Sequence, residues 1–502
     1  MRDQQSFRRG LENAAMDEVL SRPIVDPSND GPHYTSDSSG SILSPLLNDL
    51  GNAHRLILFG GEDLRYSASH KSWFVWDGKR WAYDHCDAAR KLAQTVMLDF
   101  YKAAVTLGEE HYQKFARQSL ESRRISAALT EAQPHLSVVG EAFDKEPWLL
   151  NFQNGTLDLR TFELRPHARA DLLTKILKYD YNPSATCPTF MAFLERIMGS
   201  ANPEAEPTDR TERLMQYLQR AFGYALTGVT GEKAFFVFHG SSGNNGKTTL
   251  LSTFRALLEE YATIIQIDSL MSRQESNNNQ ADLADLKGAR FVMTSETEEG
   301  QRLSEGRLKR ITQGMGTIKA TRKYENPMEF EETHKIFMDA NHRPVIRGID
   351  PAIWNRLHLV PFEVTIPKDQ IDRSLPQRLL AEGEGILAWA VEGCRQWRKV
   401  GLQRPPEVDA AGDEWKEEMD QVGRFIEDRC VTGGSGYVSV RAKELYSAYV
   451  KWCEEAGENP LSATSLGVKM ANRGYKKKDT RTGIYYEHIG LLETERSELF
   501  SN

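Results

Sequence analysis

The sequence predicts an α/β fold, and three observations carry that prediction. Short apolar runs at Ala234–Phe238, "ARFVMTSE", "HKIFMDAN" and "LHLVPF" read as strands of a buried sheet. Stretches of helical periodicity separate them, and such alternation builds a sheet covered by helices. A glycine-rich stretch, "HGSSGNNGKTTLL" from His239 to Leu251, falls where the first of these strands passes into a helix.

The flanking elements follow in order. Residues Ser21 to Ser44 are rich in Ser, Pro, Asp and Gly and are expected to be loosely held. "HKSWFVWDGKRWAYD" places two strand-like runs around Asp77-Gly78, which signals a hairpin. Ala88 to Leu107 and Tyr112 to Glu131 carry helical periodicity, and "NFQNGTLDLRTFEL" reads as strand, turn and strand. Thr208 to Leu226 is a helix that leads into the first core strand. After Gln370 the pattern is mostly helical. A last segment, Val422 to Leu492, reads as two helices followed by a strand pair around "TGIYYEHI". The chain therefore divides into a flexible segment (1–50), an N-terminal α+β module (51–200), an α/β core (201–370), a helical segment (371–421) and a C-terminal domain (422–502).

The chain has 502 residues, enough for about three domains at ~100–200 residues each. Its 40% apolar and 27% charged residues describe a soluble globular protein. No run of ~18 apolar residues is present and the start lacks a secretory apolar stretch, so a cytoplasmic location without a membrane span is expected. The five cysteines are widely separated, which argues against a disulfide framework or a zinc site. A net charge of −8 confines any nucleic-acid contact to local patches. Two windows qualify: Arg302 to Lys323, with seven Lys/Arg against one acid, and Asn472 to Gly483, with five against one. Taken alone, each reads more readily as a solvated basic surface than as a nucleic-acid contact.

The glycine-rich stretch resembles the phosphate-loop pattern G-x-x-x-x-G-K-[ST], with one residue too many between Gly240 and Gly246-Lys247-Thr248. Backbone N–H groups and a helix N-terminus make a positive concavity for phosphate oxygens. Candidate nucleotide-binding residues are Gly240, Ser241, Ser242, Gly243, Asn244, Asn245, Gly246, Lys247, Thr248 and Thr249, with the surplus residue absorbed within Ser241 to Asn245. Lys247 supplies a charge at the β- and γ-phosphates, and the Thr248 hydroxyl suits Mg²⁺. An acid for the metal and the attacking water is expected at the tip of the next long strand, where Glu296 stands, with Glu298 and Glu299 close by. Asn341, after the strand "KIFMDA", could orient that water. Arg347 and Arg356 are candidates for an arginine finger, which stabilises charge in the transition state.

With these residues assembled, the chain resembles superfamily 3 helicases of the phage, plasmid and poxvirus primase-helicase branch. "SWFVWDGKRW", "FQNGTLDLRT", "CPTFMAFLERI" and "YLQRAFGYALTG" are similar to the module that precedes the helicase there. "GSSGNNGKTTLL", "LKGARFVMTSETEEGQRLSEGRLKRITQG" and "IFMDANHRPVIRGIDPAIWNRLHLVPF" match in order and spacing. The family accepts Ser-Glu, here Ser295-Glu296, where other ATPases have Asp-Glu.

The resemblance implies an AAA+-type core, with Lys247 and Thr248 as phosphate and Mg²⁺ ligands, Glu296 as the Walker B acid and Asn341 as the sensor. It implies Arg356, or failing it Arg347, as a finger reaching a neighbouring subunit. "TIKATRKYENPMEF" sits where the family has a hairpin in a central channel, which makes Lys319, Arg322, Lys323 and Tyr324 the candidate DNA grip. The tail resembles a winged-helix module, with a plain structural domain as the equal alternative. The implied activity is ATP-driven 3′-to-5′ translocation by a hexameric ring on single-stranded and forked DNA, in replication of a phage, plasmid or other mobile element. Only about 50 residues precede the first module, too few for a primase domain of ~100 residues or more, so the chain itself is not expected to be a primase, and a separate primase or polymerase is a candidate partner. An origin-binding initiator or loader that uses ATP without unwinding is the alternative. A small-molecule kinase would need no basic hairpin, and a DNA scaffold with a dead nucleotide site would not need Lys247, Thr248 and Glu296.

Overall fold

The computed structural model describes residues 42–44, 46–199, 208–272, 279–295, 301–321, 327–346, 348, 350–432, 438–481 and 483–492. At its centre lies a five-stranded sheet: β1 (Phe235–His239), β2 (Ala262–Ile264), β3 (Phe291–Ser295), β4 (Lys335–Ala340) and β5 (Leu357–Pro361). The spatial order is β5-β1-β4-β3-β2, and every neighbouring pair is parallel. The expected first strand, Ala234–Phe238, is thus displaced by one residue, and the short edge strand β2 had no forecast.

The sheet is buried because both faces are apolar. Phe236, Phe238, Phe337 and Val360 face one core, under the helices Asp209–Ala225, Lys247–Leu258 and Gly383–Val400. Phe235, Val237, Ile336, Met338 and Leu359 alternate onto a second core, which holds Leu308 of the helix Glu305–Ile311 and Trp415 of the helix Pro406–Met419. Parallel pairing aligns His239 with Ala340 and with Pro361, so the segments leaving β1, β4 and β5 emerge together at one edge. Ligands of open α/β sheets sit at this carboxyl edge.

The N-terminal module is α+β. The Asp77-Gly78 hairpin forms between Ser72–Trp76 and Trp81–Tyr83, with Leu64–Ser67 added as a third antiparallel strand. The expected helix Tyr112 to Glu131 is two helices, Glu110–Ser119 and Ser122–Ala132, broken where Glu121 adopts an extended conformation. The expected strand pair near Asn154 is a three-stranded sheet of Leu149–Phe152, Gly155–Asp158 and Glu163–Arg165. The end of the Ser21–Ser44 stretch is held, since Arg55 donates to the carbonyls of Ile42 (2.8 Å) and Ser44 (2.7 Å). The buried Arg290 guanidinium joins this module to the sheet, donating to Leu149 O and Leu226 O at 2.7 Å each.

The C-terminal segment holds three helices rather than two, Gln421–Arg429, Ala442–Glu455 and Ala463–Asn472. The expected strand pair is present as Lys477–Thr480 with Gly483–Glu487, extended by Ser439–Arg441. Its core contains Phe425, Tyr449, Trp452 and Tyr486. No described helix is long and apolar enough to cross a membrane.

Candidate functional site

The loop Gly240–Gly246 leaves β1 and enters the helix Lys247–Leu258 directly. Two positions in it demand glycine. A Cβ at Gly240 would lie 2.4 Å from both the Asn245 amide and the Phe362 carbonyl oxygen, and Gly246 has φ +83° with the Ile197 side chain 2.5 Å from where a Cβ would stand. Asn244 also adopts the left-handed conformation, φ +60°, which Asn tolerates better than most residues. Asn245 bonds back across the loop. Its buried side-chain amide donates to Ser242 O (2.6 Å) and more weakly to Gly240 O (3.4 Å). Ser242 is tied outward to the Thr365 hydroxyl at 2.5 Å, Ser241, Gly243 and Thr248 are exposed, and the Thr249 carbonyl accepts from Thr253 at 2.8 Å.

Lys247 does not extend into solvent. It is 2% exposed, and its Nζ donates to Gly240 O (3.2 Å), Asn245 Oδ1 (2.9 Å) and Asn341 Oδ1 (2.8 Å). Asn341, the first residue after β4, is thus already joined to the loop cation. Asp339, two residues earlier in β4, stands 3.8 Å from Lys247 Nζ and accepts a hydrogen bond from the Thr248 hydroxyl. Alternation along β4 puts Asp339 and Asn341 on the same side. An acid inside the apolar run "KIFMDAN" was the signal in the sequence, and the reading that stopped at Asn341 missed it. The hydroxyl of Thr248 and the carboxylate of Asp339 are hard oxygen donors of the kind Mg²⁺ accepts.

Glu296, together with Glu298 and Glu299, lies outside the described residues. The residue before it, Ser295, pairs with Asp339 across the β3–β4 ladder. Arg356 sits at the opposite end of the sheet, where its carbonyl accepts from Phe235 N at the start of β1 (2.7 Å). Its guanidinium donates to Thr312 O at 3.3 Å and to Ala352 O. A β1 of five residues spans ~16 Å, so Arg356 and the loop of the same chain are not brought together. Arg347 lies outside the described residues.

The basic hairpin is present as Thr317–Ala320 paired antiparallel with Met328–Glu331. Lys319 is exposed and bonded to Glu329 on the facing strand at 2.6 Å. Arg322, Lys323 and Tyr324 lie outside the described residues. The hairpin runs through Glu332 and His334 into β4. Burial pushes the Glu332 carboxyl up to about 7, although it accepts from Gly314 N at 3.1 Å. In the C-terminal basic window Lys476, Lys477 and Lys478 are exposed, and Lys478 pairs with Glu487 at 2.8 Å.

A phosphate loop at the carboxyl edge of a parallel sheet, with a lysine, a hydroxyl, a carboxylate and an amide converging on it, defines a P-loop ATPase type of core carried beside an α+β module. The comparisons with known proteins narrow this further. Residues 53–199 match the family described as D5 N terminal like, residues 238–355 a family of unknown function (DUF5906), and residues 417–489 the family described as Poxvirus D5 protein-like. Over residues 53–199 and 417–489 the chain is thus similar to the D5-type primase-helicase family.

Similar proteins include "Putative helicase L207/L206" of Acanthamoeba polyphaga mimivirus, 26% identical over 331 residues, which cover 62% of this chain and 33% of the relative. "Putative helicase 022R" of Frog virus 3 is 24% identical over 347 residues, covering 64% and 32%. "Putative primase C962R" of African swine fever virus is 22% identical over 380 residues, covering 72% and 38%. The chain thus spans about a third of the length of the curated relatives it matches. Among solved structures, the NrS-1 C-terminal region is similar at TM-score 0.46 and 11% identity, covering 86% of this chain and 96% of the other.

Proposed function

We propose that this protein is an ATP-dependent DNA helicase motor, with an AAA+-type core between a D5-type N-terminal module and a winged-helix-like C-terminal domain. The domain limits are those expected from the sequence (51–200, 201–370, 371–421 and 422–502). The observation that carries the reading is the contact set of Lys247, which joins the loop to Asn341 while Thr248 and Asp339 meet beside it. In this reading the loop N–H groups and Lys247 bind the phosphates, and Thr248 and Asp339 hold Mg²⁺. When bound, Mg²⁺ neutralises charge that develops on the transferring phosphoryl group. Glu296 takes the proton of the attacking water, Asn341 orients that water, and Arg356 reaches the γ-phosphate of a neighbouring subunit in a hexameric ring.

The hairpin with Lys319, Arg322, Lys323 and Tyr324 grips single-stranded DNA, and movement is 3′ to 5′. A phage, plasmid or other mobile element remains the proposed source, with a separate primase or polymerase as partner. ATP hydrolysis measured with and without single-stranded DNA tests the reading. DNA should raise turnover, and Lys247→Ala should abolish it in a protein of unchanged circular dichroism. Normal stimulated turnover in that variant would sink the nucleotide-site assignment. Strand displacement on a forked duplex separates the helicase from an initiator or loader, which would hydrolyse ATP and leave the fork closed.

A further inference from the structure

We propose that Arg343 is a second phosphate-binding cation of this site, held off by Glu414 and Glu418 until the terminal phosphate of a nucleoside triphosphate displaces them. The inference rests on the nucleotide-site reading above and adds a ligand and its control. Arg343 leaves β4 two residues after Asn341, whose side chain contacts Lys247. It borders a cavity of about 450 Å³ together with His239, Gly240, Ser241, Ser242 and Glu414. The first half of the phosphate loop and this guanidinium therefore face one space.

The guanidinium is oriented there by borrowed partners. Nη1 donates to Glu418 at 2.8 Å and Nη2 to Glu414 at 3.1 Å, while the buried Nε has no hydrogen-bond partner among the described residues. Arg343 is only 16% exposed, whereas Glu414 and Glu418 are 68% and 51% exposed. The two acids are one helical turn apart on Pro406–Met419, so both reach one arginine from one face. Carboxylates this open to water hold a cation weakly. A phosphate brings more charge and a geometry that the guanidinium fork matches, including the edge that carries Nε.

The cavity meets the loop at Gly240, Ser241 and Ser242, and its cations, Arg210 and Arg343, stand among Glu363, Glu407 and Glu414. Burial, with Arg343 and Lys247 nearby, lowers the His239 imidazole to about 4, so it adds no charge at neutral pH. A second cavity, of about 300 Å³, lies against Thr249 on the other flank of the loop, with Phe193, Ile366 and Leu375 in its walls beside Arg196, Arg378 and Asp372. The apolar part of those walls suits the base, which leaves the terminal phosphate on the Arg343 side.

The test is equilibrium binding of fluorescent, non-hydrolysable ATP analogue and of fluorescent ADP to the full chain. Glu414→Gln/Glu418→Gln keeps side-chain shape and removes both competitors. It should tighten the triphosphate about threefold and leave the diphosphate unchanged. Arg343→Ala should loosen the triphosphate about tenfold more than the diphosphate, as expected for loss of one charged hydrogen bond. Equal effects on both nucleotides, or no effect of the glutamine pair, would overturn the assignment of Arg343 while the site stood. If wild type and Lys247→Ala bind the triphosphate equally, the nucleotide site itself falls, and Arg343 with it.

Discussion

The Thr248 hydroxyl donates a hydrogen bond to the Asp339 carboxylate, joining the first turn of the phosphate-loop helix to the strand beside β1. Asp339 is 7% exposed and also 3.8 Å from Lys247 Nζ. Two acids can therefore serve this site, Asp339 within β4 and Glu296 beyond β3. Asp339→Asn keeps volume and a hydrogen-bond acceptor but removes the charge. Steady-state ATP hydrolysis should fall by about 10²-fold or more, the scale for losing one preorganised electrostatic group. Near-normal turnover in a folded variant would make Asp339 a structural partner and leave Glu296 as the working acid.

Arg356 is separated from its own loop by the length of β1, and this turns the finger assignment into a statement about assembly. Arg356→Ala should lower turnover about 10³-fold if the residue completes a neighbour's site. Mixing Arg356→Ala with Lys247→Ala subunits should restore part of the activity, because a mixed ring contains some intact composite sites. Wild-type turnover in Arg356→Ala alone would move the role to Arg347.

On the hairpin, Lys319 is already engaged by Glu329, and the pair is open to solvent. DNA phosphate must displace that carboxylate, so Lys319→Ala alone should have a smaller effect than loss of an unengaged lysine. The triple variant Lys319→Ala/Arg322→Ala/Lys323→Ala should flatten the salt dependence of single-strand binding by ~0.7 in log–log slope per lost phosphate contact. Basal ATPase should persist while DNA stimulation and unwinding fall. An unchanged slope, measured by fluorescence anisotropy, would rule the hairpin out as the grip.

Glu332 closes the base of the same hairpin, and burial raises its carboxyl from 4.5 to about 7. The folded state therefore holds a proton that the unfolded chain gives up near 4.5. That contribution to stability is fully present below the unfolded value and is lost as pH rises through about 7. Between pH 5 and 8 the thermal midpoint of Glu332→Gln should lose less than that of wild type, because the amide cannot ionise. Parallel pH profiles for the two proteins would show that Glu332 ionises normally.

Much of the fold was legible because its determinants are local. The apolar runs of β1, β3, β4 and β5 are strand-length and bounded by polar residues, and Gly246-Lys247-Thr248 needs only its own backbone to open a helix on an anion site. The Asp77-Gly78 hairpin was legible for the same reason, since two residues dictate the turn. The break at Leu120-Glu121 was not, because no Gly or Pro marks it and side-chain packing of two short helices decides it.

What only the tertiary structure decided is which strands neighbour which. The order β5-β1-β4-β3-β2 puts the hairpin-bearing strand β4, not β3, beside the phosphate loop. From that single placement follow the Asp339–Thr248 contact, the Asn341–Lys247 contact and the approach of Arg343 to Ser241 and Ser242. It also brings Glu414 and Glu418, more than seventy residues further on, to the same arginine. By itself the sequence determined the chemistry available, because that depends on residue type and immediate backbone. Lateral strand order depends on how helices and both faces of the sheet bury their apolar surface together, and no local stretch of chain carries that sum.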